Sequence, residues 1–200
     1  MCGIAGWVNA TDASSEDAVE KALATLEARG PDGSGLSKLR ISRPFNGTFG
    51  HRRLSIIDLS SAGQQPYCSI DGRFCLTYNG EIYNYLELRE DLERLGWQFR
   101  SKTDTEVLLA SWITWGKECL LRFTGMFAFA IFDNKTQILT CVRDPFGIKP
   151  LFFHHDNSNF VFCSEVPALL TFPSVGRRID AKTSAEYLLY GLYDRGRATF

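Results

Sequence analysis

The sequence predicts an α+β sandwich, in which helices cluster between two groups of antiparallel strands. Three observations carry that expectation. Apolar residues recur at helical spacing in the middle of the chain, strand-like runs lie on either side, and the later strands are joined by turns too short for parallel crossovers. The chain has 200 residues, 44% of them hydrophobic, which is enough for one buried core and excludes a disordered or fibrous protein.

The elements follow in order. Cys2 to Val8 is apolar with two glycines and reads as a buried strand approached closely by other backbone. Val19, Ala22, Leu23 and Leu26 define a first helix over Ser15 to Ala28, for which Gly30 is the expected C-cap. Strands are expected at Leu36 to Ser42, Thr48 to Ile57 and Phe74 to Tyr78, the last ending in the turn-forming pair Asn79-Gly80. Tyr85, Leu88, Leu92 and Leu95 mark a second helix, closed by Gly96. Thr103 with Glu106 reads as a capping box that opens a third helix through Trp115. A short helical piece around Leu120 and Leu121 precedes four strands, at Met126 to Phe132, Gln137 to Val142, Leu151 to His155 and Phe160 to Cys163. Beyond Pro173, Arg177 to Asp180 reads as a connector and Ala181 to Tyr190 as one more helix.

Composition narrows the function. Twenty-two basic against 23 acidic residues give a net charge of −1, with no basic excess for nucleic acid or an anionic membrane surface. No run approaches the ~20 apolar residues of a membrane span, and no secretion signal opens the chain, so a cytoplasmic protein is expected. The six cysteines have no C-x-x-C pair and no His at ligand spacing. Five of them read as small core residues, and no metal site is expected.

Cys2 is different. Once Met1 is removed, one residue carries a thiol and a free α-amine, whose ordinary pKa values of about 8.5 and about 7.7–8.0 make proton transfer between them inexpensive. An amine titrating near neutral pH is a competent general base, so nucleophile and base come from one residue. The plainer reading is a small residue opening a strand. Asn79-Gly80 offers a side-chain amide and a backbone N–H as an oxyanion hole, or is an ordinary hairpin turn.

Five motifs in order decide between these readings: Met1-Cys2-Gly3-Ile4-Ala5-Gly6, Arg29-Gly30-Pro31-Asp32-Gly33, His51 to Asp58, Tyr78-Asn79-Gly80-Glu81-Ile82-Tyr83-Asn84, and Arg143 to Leu151. Together they resemble the class II glutamine amidotransferase domain, most closely the glutaminase half of glutamine-hydrolysing asparagine synthetases, from Cys2 to about Leu170.

The resemblance implies the four-layer αββα sandwich of the N-terminal nucleophile hydrolases. It also implies hydrolysis of L-glutamine to glutamate and ammonia through a Cys2 thioester, with Asn79 and Gly80 as oxyanion donors. By the same resemblance Arg53 holds the substrate α-carboxylate, while Asp104, assisted by Glu81, holds the α-ammonium. Without it, Arg53 reads as a surface ion-pair partner and Asp104 as a helix N-terminal carboxylate. Arg29 to Gly33 and Arg143 to Pro150 are read as structural turns, with Arg143 and Asp144 paired, and the chemistry does not need a Cys2–His51 dyad.

Residues 1–172 are thus expected to form the glutaminase domain, and 173–200 a connector and first helix toward a C-terminal synthetase domain that receives the ammonia. The chain carries neither an S-G-G-x-D-S nor a G-x-x-x-x-G-K-[ST] phosphate loop. No cofactor is expected for this domain, and ATP and Mg only for the synthetase partner. A homodimer is left open. The alternatives are a non-catalytic glutamine-binding or regulatory module of the same fold, and a hydrolase of a different amide. A species retaining Met1 is expected to be immature and inactive, because an acylated nitrogen offers no basic lone pair.

Overall fold

The computed structural model describes residues 1–10, 14–55 and 63–191. Two antiparallel sheets form its centre. The first has the strand order β2 (Gly33–Lys38), β3 (Asn46–Arg53), β1 (Gly3–Asn9), β9 (Asn159–Cys163), β8 (Phe152–His155). The second runs β4 (Tyr67–Cys68), β5 (Phe74–Ile82), β6 (Gly125–Asp133), β7 (Ile138–Arg143).

Side-chain alternation builds three apolar layers from these strands. Ile4, Phe49 and Phe162 of the first sheet meet Cys75, Ala128, Ala130 and Phe132 of the second between the sheets. Ala5, Trp7, Val161 and Cys163 point the other way, onto α1 (Ser15–Thr25) and α4 (Val166–Leu169). On the far side, Leu76, Tyr78, Phe129 and Ile131 pack beneath α2 (Tyr85–Arg94) and α3 (Asp104–Trp115). The result is the expected four-layer αββα sandwich. α5 (Ala181–Tyr190) follows and buries none of its residues. Among the described residues, no helix is long and apolar enough to cross a membrane.

Several local expectations are corrected. The first helix ends at Thr25, and a tighter turn at Glu27–Arg29 replaces its last residues. Gly30 follows that turn at φ −144°, so it is not a left-handed cap. A Cβ there would sit 2.6 Å from Arg53 N, so close approach of β3 is what requires glycine. The capping box at α3 is half formed. Thr103 Oγ1 accepts from Glu106 N–H at 3.3 Å, whereas the Glu106 carboxylate turns back to accept from Arg100 and Ser101 N–H.

The expected strand at Leu36 to Ser42 lies earlier, at Gly33–Lys38, and the one at Thr48 to Ile57 ends at Arg53, with residues 56 and 57 outside the described residues. The sequence reading missed β4 and α4, which are two and four residues long. Residues 192–200, part of the expected entry into a second domain, also lie outside the described residues.

Candidate active site

The most consequential correction concerns Asn79-Gly80. The pair is not a turn: β5 continues through it to Ile82, with Asn79 opposite Ala128 and Gly80 opposite Phe127. Nor is the position open. A Cβ on Gly80 would lie 2.5 Å from Met126 O and 2.7 Å from Phe127 Cα, so only glycine lets β5 and β6 close here.

Strand alternation then sorts the side chains of β5. Tyr78 points toward the helices, while Thr77 and Asn79 point between the sheets, where Thr77 Oγ1 donates to Gly50 O at 3.0 Å. Asn79 is 1% exposed, and its Nδ2 has no hydrogen-bond partner. A buried amide left this way costs about 1–3 kcal/mol, so the position is one where folding stability is given up.

All six predicted site residues, Cys2, Arg53, Asn79, Gly80, Glu81 and Asp104, line one cleft of about 170 Å³. The topology explains how residues 2 to 104 meet. Cys2 opens β1 and Arg53 ends the adjacent β3, where Gly3 pairs with Arg52. Asn79 to Glu81 come from the facing sheet, and Asp104 begins the helix above it.

Cys2 Sγ accepts from Leu54 N–H at 3.3 Å and donates to Leu54 O at 3.6 Å. Burial raises its pKa above the ordinary thiol value, against the opposing pull of the Leu54 N–H bond and the nearby cations. A thiol in this position needs a base to become a nucleophile. Met1 lines the cleft beside it.

His51 does not supply that base. It is 1% exposed, its Nε2 lies 3.1 Å from Tyr78 O, and burial pulls its pKa down to about 3. The ring is therefore neutral at working pH, and its Nε2–H donates to that carbonyl.

Asp104 is 5% exposed. Its Oδ2 accepts from Tyr78 Oη at 2.7 Å and Ile82 N–H at 3.1 Å, yet burial still raises its pKa. The guanidinium of Arg53 passes beside Gly63, whose missing Cβ makes room for it.

Sequence reasoning missed two contributors. Arg29 Nε donates to the Cys2 carbonyl at 3.0 Å while its NH1 pairs with Glu165 at 2.8 Å, so the turn after α1 clamps the backbone of Cys2. Lys149 lines the cleft and is only 4% exposed. Burial, reinforced by the charge of Arg29, lowers its pKa. Both lie in motifs read as turns, where the neighbouring Gly and Pro masked the charged residue.

The expected Arg143–Asp144 pair does not form. Arg143 donates to the Lys149 and Gly147 carbonyls, and Asp144 accepts only backbone N–H groups. No group of residues suited to a metal ion occurs among the described residues.

Comparison with known proteins agrees with this geometry. The family model described as "Glutamine amidotransferase domain" matches residues 1–200. Asparagine synthetase [glutamine-hydrolyzing] 3 of Bacillus subtilis is 37% identical over 195 residues, which are 96% of this chain and 31% of that protein. A putative asparagine synthetase [glutamine-hydrolyzing] 2 of Methanocaldococcus jannaschii is 33% identical over 206 residues, 96% of this chain and 39% of that protein. The chain thus spans about a third of the length of these relatives. Among solved structures, glutamine phosphoribosylpyrophosphate amidotransferase from B. subtilis matches with a TM-score of 0.70 at 22% identity, over 84% of this chain and 43% of that one, a likeness of fold. With the family model covering every residue and a thiol, an amide and a carboxylate gathered in one cleft, the chain belongs to the glutamine amidotransferase domain family.

Proposed function

We propose that the cleft hydrolyses L-glutamine to glutamate and ammonia. The observation that carries this reading is the buried, unpartnered Asn79 amide sharing a cleft with a thiol. A donor held ready at a folding cost fits a negative charge that develops only during reaction.

After removal of Met1, the Cys2 amine takes the thiol proton and Sγ attacks the side-chain carbonyl carbon of glutamine. Asn79 Nδ2–H and Gly80 N–H stabilise the tetrahedral oxyanion. Its collapse breaks the C–N bond, the amine's proton goes to the leaving nitrogen, and ammonia departs from a glutamyl thioester. The same amine then deprotonates a water that attacks the thioester, releasing glutamate and restoring the thiol.

Arg53 holds the α-carboxylate through its planar fork, and Asp104, with Glu81, holds the α-ammonium. An amide lacking either α-charge forgoes one of these charge-assisted contacts, which gives the site its selectivity. Residues 1–172 form the glutaminase unit and 173–200 lead toward a synthetase portion of a longer protein. The length of the curated relatives supports such a further portion, which would use ATP and Mg to activate the acceptor of the ammonia.

The test uses protein shown by mass spectrometry to begin at Cys2. Glutamate release and covalent labelling of Cys2 by an electrophilic glutamine analogue are expected, and both vanish in Cys2→Ala. Glutamine binding without ammonia release in the parent protein overturns the reading in favour of a non-catalytic binding module.

A further inference from the structure

Outside the cleft, two thiols meet at the edge of the second sheet. Cys68 on β4 and Cys75 on β5 are register partners, and their Sγ atoms lie 3.1 Å apart. Both are free cysteines, Cys68 exposed and Cys75 2% exposed. Ser37 Oγ, from the facing sheet, lies 3.8 Å from Cys68 Sγ and 3.5 Å from Cys75 Sγ.

The ladder shows why this pair is poised. Ser69 N–H donates to Phe74 O at 2.9 Å, which makes Ser69 and Phe74 the hydrogen-bonded pair and leaves Cys68 and Cys75 as the adjacent non-hydrogen-bonded one. In such a pair Cα atoms lie about 4.5 Å apart, with side chains on one face and closer together than in the alternate pairs. A disulfide spans Cα separations of about 4.4–6.8 Å, so these strands are already at bonding distance.

The two sulfurs are also unequal. Contacts with Cys75 and Ser37 draw the pKa of Cys68 down to about 6, while the contact with Cys68 and burial drive that of Cys75 upward. The solvent-facing sulfur is the one that ionises more readily and the inner one the one that keeps its proton, the arrangement of an attacking and a resolving cysteine.

We propose that Cys68 and Cys75 form an oxidation site at which a hydroperoxide closes a cross-strand disulfide. The Cys68 thiolate attacks the terminal peroxide oxygen. The O–O bond breaks, the alcohol or water leaves with its proton from solvent, and Cys68 becomes a sulfenic acid. Cys75 sulfur then attacks that sulfur, the S–O bond breaks, and hydroxide departs with the Cys75 proton as water. The dithiol loses two electrons and the peroxide gains them. The product ties β4 to β5 just after Gln65, which lines the cleft and accepts from Tyr78 N–H at 2.7 Å. None of this depends on the reading of the cleft, because neither cysteine lines it.

The experiment treats the full chain with dilute hydrogen peroxide and maps peptides without reduction. A linked peptide joining Cys68 to Cys75 is expected, reversed by dithiothreitol. In Cys75→Ser the reaction stops at a Cys68 sulfenic acid that dimedone traps, and in Cys68→Ser Cys75 stays unmodified. Before oxidation, Cys68 should alkylate at neutral pH on the order of tenfold faster than Cys119, Cys141 or Cys163. The proposal fails if peroxide carries Cys68 to sulfinic acid with Cys75 still free, or if Cys68 reacts no faster than those three.

Discussion

Asp104 and Asp144 are similarly shielded from water, at 5% and 4% exposure, but Asp104 lies deeper within the protein and the two are solvated in opposite ways. Asp144 is surrounded by backbone donors: Phe127 and Lys149 N–H reach Oδ2 at 3.2 and 3.0 Å, and Phe146 and Ile148 N–H reach Oδ1 at 3.1 and 3.0 Å. Burial works to raise its pKa, but these four bonds hold it below the ordinary carboxylate range. For Asp104, which takes bonds from Tyr78, Ile82 and the Thr105 backbone, burial prevails and the pKa rises. A saturated carboxylate has its interactions within the fold and serves the loop that it ties. An undersaturated one facing a cleft retains capacity for an external cation. The contrast separates an aspartate satisfied within its loop from one that lines the cleft, where sequence shows only two acidic residues.

The largest expected effect tests the binding half of the contrast. Asp104→Asn removes the charge proposed to meet the α-ammonium and should cost about 2–5 kcal/mol of transition-state binding. That is roughly 30- to 4,000-fold in kcat/KM for glutamine, with the fold intact by circular dichroism. Unchanged kinetics would remove Asp104 from the site.

Asp144→Asn should do the reverse. Placing an amide donor against backbone N–H groups leaves buried donors unsatisfied, at about 2–3 kcal/mol of stability. Thermal denaturation should show a midpoint lowered by roughly 5–10 °C, with activity per folded molecule retained.

The pH dependence should also split. Asp104 must be ionised to hold an ammonium group, and its pKa is raised. The acid limb of kcat/KM should therefore lie above the ordinary value of about 3.9 and disappear in Asp104→Asn. For stability, a raised folded pKa favours the folded state at low pH, and that contribution is lost as pH rises through the folded pKa. The depressed pKa of Asp144 contributes stability above about 3.9, lost as pH falls through its lower folded value. Denaturant titrations of the two variants against pH should therefore slope in opposite directions relative to the parent.

The smallest effect is expected at Glu81, which lines the cleft but is only half-buried. Glu81→Gln should raise KM about two- to fivefold with kcat little changed, because water screens this charge. An effect as large as that of Asp104→Asn would move the main ammonium contact from Asp104 to Glu81.

Much of this was legible in the sequence. Periodicity located the long helices and most strands, because amphipathic burial imposes 3.6- and 2-residue repeats on the chain itself. The two-residue β4 and four-residue α4 left too few repeats to register. The site residues were legible through motifs, and the structure brings them into one cleft. Their local surroundings were not. Asn79-Gly80 has the composition of a turn, and only its pairing with β6 made it the middle of a strand with a stranded amide.

The sequence alone determined the α+β sandwich and the distinctive cysteine at position two, since these depend on residue type and spacing, while the candidate polar residues of the cleft were named by the motif resemblance. Tertiary structure decided which of those polar groups are satisfied within the fold and which face the cleft, and it brought Cys68 against Cys75. Solvation and hydrogen-bond saturation are set by neighbours distant along the chain, so no local pattern encodes them.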